Sequence, residues 1–235
     1  MSRRLALLWP WAAALLASMP LSFSQAAAGI AQTRDFQVND FDHLVVALPA
    51  DVKVLPGKSA SITVTAEPKV LDVISVTQSD GQVRITTTGS FQTQDEVSVS
   101  VSTPNLRALD VSEAGDVAVS GPLGSVLTLK VEDASSVSLN KMNLKALDAD
   151  LSGSAEITAN GQSGKLQLTA VDASSFDGSS LKLKDARMAV SGASEASVFA
   201  SSTLSVKITE TGSVYYSGSP SIEQSVSFAG TLEAQ

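Results

Sequence analysis

The chain has 235 residues, of which 43% are hydrophobic, only 5% aromatic and 17% charged, and it contains no cysteine. That excludes a disulfide framework and thiolate chemistry, and the abundance of small and β-branched residues favours strands joined by tight turns. With a leader of 26 residues set aside, 14 basic residues face 24 acidic ones, a net charge of −10 that disfavours nucleic acid and anionic lipid head groups as partners.

The N-terminus has the grammar of a signal peptide over residues 1–26. Arg3 and Arg4 make a short positive region, residues 5–19 are mainly apolar, and Ser24-Gln25-Ala26 or Ala26-Ala27-Ala28 supplies a small-x-small cleavage pattern. The apolar run is too short to favour a permanent span. Ser2-Arg3-Arg4 hints at a twin-arginine signal, but the residues after it fit poorly. No cysteine follows the cleavage site, so a cysteine-linked lipid anchor is not expected. The chain is predicted to be exported to the periplasm, the cell surface or the medium, with no transmembrane segment in the mature part. Residues 27–35 read as a flexible lead-in to a single domain over residues 36–235.

Residues 36–103 carry alternating apolar positions in irregular order. Ile62/Val64, Ile74/Val76, Val83/Ile85 and Val97/Val99/Val101 each have the period of two that marks a strand with one buried face. Val46-Ala-Leu-Pro-Ala-Asp-Val52 fits a template that recurs later. Its distance from Val111 suggests about three longer coils of one solenoid, with a separate small β-domain as the alternative. His43, the only histidine, has no partner suggested by spacing and reads as a surface residue.

Residues 104–216 repeat regularly. Val111-Ser-Glu-Ala-Gly-Asp-Val117, Val131-Glu-Asp-Ala-Ser-Ser-Val137, Leu151-Ser-Gly-Ser-Ala-Glu-Ile157, Ala170-Val-Asp-Ala-Ser-Ser-Phe176, Val190-Ser-Gly-Ala-Ser-Glu-Ala196 and Ile208-Thr-Glu-Thr-Gly-Ser-Val214 start at steps of 18 to 20 residues. A fixed period of about twenty means stacked supersecondary units. Each unit has an alternating strand, five small or polar turn residues, a second alternating strand and a variable bend. No helical period intervenes. The predicted fold is therefore all-β, a parallel β-helix, with residues 217–235 as a C-terminal cap. One buried column reads Leu109, Leu129, Ala149, Leu168, Met188, Val206.

The opening strand near residues 41–54, with the Ser-Gly-Ser-Ala-Glu-Ile and Glu-Thr-Gly-Ser-Val turns, resembles the head GIN domain family of auto-transporter adhesins across residues 36–230. The resemblance implies a right-handed parallel β-helix on an exported bacterial protein with an adhesin-like role. No C-terminal run of aromatic-rich membrane strands is apparent, so a self-translocating autotransporter is not expected.

Candidate chemistry falls on outward columns. Asp110, Lys130, Asp150, Thr169, Ala189 and Lys207 suggest a ladder of exposed ion pairs, beside a column of Ala108, Thr128, Asp148, Gln167, Arg187 and Ser205. Asp148, Asp150 and Arg187, with Lys130, fit the carboxylates and base of a polysaccharide lyase. A solvated sheet face fits them better, because short turns do not wall a cleft. The turn stripe Glu113, Asp133, Asp172 and Glu210 suggests Ca²⁺, but Gly153 and Gly192 interrupt it and no calcium-roll motif is present. Tyr215 could stack on a sugar, with capping of the solenoid end as the plainer role of the Tyr215-Tyr216 pair. No Gly-x-Ser-x-Gly elbow exists. The expectation is a non-enzymatic interaction protein without metal or cofactor. A lyase-like enzyme and an envelope assembly module are the alternatives. Candidate partners are a glycan, an envelope or surface protein, or further copies of the chain, and Asp148, Asp150, Arg187 and Tyr215 are the exposed binding candidates.

Overall fold

The computed structural model describes residues 30–93 and 95–235. The signal segment and the first residues of the lead-in lie outside them. The chain forms β1 (Gln32–Phe36), β2 (His43–Ala47), β3 (Asp51–Pro56), β4 (Ser61–Ala66), the single-turn α1 (Pro68–Leu71), β5 (Ile74–Ser79), β6 (Gln82–Thr87) and β7 (Ser98–Thr103). It continues through β8 (Ala108–Ser112), β9 (Asp116–Ser120), β10 (Val126–Val131), β11 (Ser136–Leu151), β12 (Glu156–Ala170), β13 (Ser175–Val190), β14 (Glu195–Ile208), β15 (Ser213–Gly218), β16 (Ser221–Val226) and β17 (Thr231–Ala234).

The strands stack in parallel as a β-solenoid. The first sheet runs β6-β2-β8-β10 and on through the C-terminal halves of β11 to β14 to β16. The second runs β7-β3-β9 and through the N-terminal halves of β11 to β14 to β15 and β17. Alternation fixes which side faces in. Leu109, Leu129, Ala149, Leu168, Met188 and Val206 are each 3% exposed or less, so the predicted column is the core. Burying each Leu there stabilises by about 1.5–3 kcal/mol.

The bends differ from the expected break between strands. In β11 to β14 the chain keeps pairing through the bend, so one strand of 14 to 16 residues turns the corner. Met142, Asn143 and Leu144 pair with Gly161, Gln162 and Ser163, and these pair with Leu181, Lys182 and Leu183. The bend is therefore a third, short face with two buried rows of its own, one holding Met142 and Leu181 and the other Leu144 and Leu183. Irregular register at Leu139/Met142 and Thr158/Asn160 supplies the corner.

The turns explain the small residues. Their third position lies in the left-handed region at Glu113, Asp133, Gly153, Asp172, Gly192 and Glu210, with φ between 59° and 74°. Glycine suits that conformation, which accounts for the two breaks in the acidic stripe. The inward residue two places on is always small: Gly115, Ser135, Ala155, Ser174, Ser194 and Gly212. A Cβ on Gly115 would already lie 3.1 Å from Val111 and 3.2 Å from the Leu48 carbonyl oxygen.

The N-terminal region departs from a simple run of longer coils. Val46 pairs with both Ile85 and Val111, so the β2–β3 coil is sandwiched between the later β6–β7 and β8–β9 coils. The 65-residue gap between Val46 and Val111 holds one displaced coil and a cover, not three coils in sequence. The cover is antiparallel: β1 pairs with β4, β4 with β7 and β5 with β6. Gln32–Phe36 is thus a strand where a flexible lead-in was expected. Arg34 holds it down, donating to the Leu71 carbonyl at 2.7 Å and to Asp72 at 3.1 Å. At the other end β16 and β17 form one more coil in register, and every residue of β16 is exposed.

Candidate functional site

The outward face of the first sheet carries most of the expected site residues. Thr128, Asp148, Gln167, Arg187, Ser205 and Glu223 follow one another strand by strand. Strand spacing places successive groups about 4.8 Å apart. Asp148 and Arg187 line one open depression of about 500 Å³ together with Val126, Ala146 and Ala186, among others. A second depression of about 460 Å³ shares Gln167, Arg187 and Ser205 with it and extends to Lys207 and Glu223. The face is thus shallowly concave where short turns suggested a flat surface.

The candidates do not converge into a catalytic cluster. Gln167 separates Asp148 from Arg187, and Asp150 belongs to the next column. Burial and then the Asp150 charge push the Asp148 carboxyl above its ordinary pKa. Tyr215 lies on the second sheet between Ser197 and Glu233, while Tyr216 packs against the core.

The predicted ion-pair ladder is replaced by other pairings. Lys130 binds Glu132, the first residue beyond the end of its strand, at 2.9 Å, and not Asp110 or Asp150 across the sheet. Glu132 is only two residues on in the chain, which brings it within reach of Lys130 where the strand gives way to the turn. The Glu132 carboxylate raises the Lys130 pKa, with smaller contributions from Asp110 and Asp150. Asp110 instead accepts from His43 at 2.9 Å, and the Gln82 amide nitrogen lies 3.0 Å from His43 Nδ1. His43 therefore bridges three coils that sequence spacing did not bring together.

The turn stripe is used by the backbone. Asp133 accepts the Glu113 N–H at 3.1 Å and Asp172 accepts the Gly153 N–H at 3.1 Å, each binding the preceding coil. Among the described residues no group of three or more His, Asp or Glu side chains is placed to hold a metal ion. None of the described helices is long and apolar enough to cross a membrane.

Stacked parallel coils with a filled core and an open polar face define a β-solenoid whose chemistry is displayed outward. The family model described as "putative auto-transporter adhesin, head GIN domain" matches residues 40–220, and the chain belongs to that family. Among solved structures it is similar to a protein described as a putative adhesin from Bacteroides fragilis NCTC 9343. That match has a TM-score of 0.82 at 16% identity over 87% of this chain and 97% of the other. A putative adhesin from Parabacteroides distasonis ATCC 8503 matches with a TM-score of 0.69 at 20% identity, over 88% and 98% of the two chains. A protein from the same organism described as a putative lipid binding protein matches at 0.70 and 18% identity, over 88% and 97%. No curated protein matches the chain.

Proposed function

We propose that the chain is an exported, non-enzymatic binding protein of the cell envelope that meets its ligand on the outward face of the first sheet. The carrying observation is the column Asp148, Gln167, Arg187, Ser205, Glu223, one polar group per strand along an open face. That spacing suits an extended ligand contacted at several points, and the lack of enclosing walls suits recognition over turnover. Membership of an adhesin-named family and the signal-like N-terminus support the same reading. One structural relative is described as lipid binding. In this chain the interior columns are filled by side chains, which favours surface contact over an enclosed acyl chain.

The test is capture of envelope fragments and arrayed glycans by the mature protein, with single alanine variants at Asp148, Asp150 and Arg187. Binding that weakens modestly in each variant, with the ligand recovered uncut, is expected. Ligand cleavage abolished by loss of Asp148 or Arg187 would overturn the reading in favour of a lyase.

A further inference from the structure

Charge is segregated around the coil in a way the net charge conceals. The six turn segments, residues 111–117, 131–137, 151–157, 170–176, 190–196 and 208–214, contain Glu113, Asp116, Glu132, Asp133, Glu156, Asp172, Glu195 and Glu210 and no Lys or Arg. The bends at residues 140–146, 160–165 and 178–185 contain Lys141, Lys145, Lys165, Lys182 and Lys184 against the single acid Asp185. The five lysines are exposed, and the described ion pairs include none of them. Asp185 accepts the Thr203 hydroxyl at 2.7 Å. The solenoid thus has an acidic edge and a basic one.

The basic edge also has shape. A depression of about 430 Å³ on the bend face is lined by Asn143, Gln162, Gly164, Lys182, Lys184 and Phe199, among others. Asn143, Gln162, Lys182 and Phe199 are consecutive members of one cross-strand row. Gln162 donates to the Asn143 carbonyl oxygen at 2.9 Å, which leaves the Asn143 amide N–H₂ and the Gln162 carbonyl lone pairs for a ligand. Gly164, beside the depression, lets the coils approach closely, since a Cβ there would lie 2.7 Å from the Lys145 carbonyl oxygen. Phe199 is half-buried, so an apolar ring surface closes one end.

Ammonium groups, free amides and an aromatic surface in one row meet the needs of an acidic sugar: a negative group, hydroxyls and an apolar ring face. We propose that this bend face binds an anionic polysaccharide, one whose sugar units carry carboxylate or phosphate. The acidic turn edge turns away from such a polymer and so orients the molecule on it. The inference rests on the binding-protein reading and adds a second recognition face to the sheet face proposed above.

The experiment measures calorimetric affinity of the full mature chain for polygalacturonate, a glycerol-phosphate polymer and neutral dextran. Polygalacturonate is expected to bind about tenfold or more tightly than dextran, with affinity falling as salt rises. The glycerol-phosphate polymer, which has charge but no ring, falls between them, whereas binding as tight as that of polygalacturonate assigns recognition to charge alone and overturns the role of Phe199. The double variant Lys182→Gln/Lys184→Gln, on the exposed surface, should lose about tenfold in polygalacturonate affinity with an unchanged melting temperature. Phe199→Leu, checked by the same melt, should lose affinity for polygalacturonate but not for the glycerol-phosphate polymer. Equal binding of dextran, unchanged binding by the double variant, or no binding of either anionic polymer overturns the proposal. Loss in Arg187→Gln with full retention in the double variant would sink this inference while leaving the sheet-face reading intact.

Discussion

Residues 126–216 and residues 41–103 are built from the same alternating strands, yet they assemble by different rules. In the regular coils each strand stacks on the one a period earlier, so order in the chain is order in space. In the N-terminal region a later coil lies outside an earlier one, and antiparallel strands close the end. The difference teaches that periodicity specifies what is buried but not which neighbour buries it. Ile85 and Val111 both satisfy the pattern that Val46 requires, and both pair with it.

Cavity formation is the strongest way to probe that contrast. Leu44 and Leu129 are both fully buried, one in each region. Either Leu→Ala change should cost about 2–5 kcal/mol in chemical denaturation. Hydrogen exchange should separate them. Leu44→Ala is expected to release β2, β3, β6 and β7 while β12 to β14 stay protected, because solenoid coils couple chiefly to their neighbours. Uniform loss of protection along the chain would break the comparison.

The turns of the regular coils allow the next test. Gly192 has φ +71°, and an added Cβ would clash with the Asp172 carbonyl oxygen. Gly192→Ala should therefore cost more than about 1 kcal/mol, read as a lowered melting temperature. An unchanged melt would mean that the turn stack is looser than its geometry.

Buried hydroxyls give smaller effects of opposite sign. Ser135 Oγ is buried without a hydrogen-bond partner, whereas Ser174 Oγ lies 3.2 Å from Ser194 Oγ. Ser135→Ala should stabilise by about 1 kcal/mol and Ser174→Ala should destabilise by about as much. Equal signs in denaturation would contradict the assignment.

The smallest effect is electrostatic. The Asp148 pKa is raised in the folded state, so its charged form opposes folding as pH rises through that value. Asp148→Asn should stabilise near neutral pH, by no more than about 0.5 kcal/mol, and the gain should fade as pH drops below the ordinary carboxylate value. A gain that grows in acid would reverse the sign.

The legible parts of the molecule are the local ones. The twenty-residue step, the inward column from Leu109 to Val206 and the outward column containing Asp148 and Arg187 were readable because a strand's period of two and a constant coil length project directly onto the sequence. His43 was not, since its partners Gln82 and Asp110 lie 39 and 67 residues away and meet it only through the displaced coil. The bend face was missed for a different reason. Lys182, Gln162 and Asn143 occupy segments of unequal length, so their alignment depends on the register irregularities at the corners. The role of the turn acids was hidden because an oxygen that accepts a backbone N–H looks, in sequence, like one free to hold a cation.

The sandwiched position of β2 and β3 has a consequence in time. A regular coil can settle as soon as its own residues exist, since its template has already formed. The β2 strand has no parallel partner until Gln82–Thr87 is made, and its second partner arrives only with Ala108–Ser112. In a chain that emerges from its N-terminus, the oldest strand of the solenoid is therefore locked in only after younger ones arrive on both sides of it. Closing those long-range contacts is slow compared with adding one coil to the next. The sealed end of the molecule is thus assembled out of chain order, its first solenoid strand waiting for two later ones.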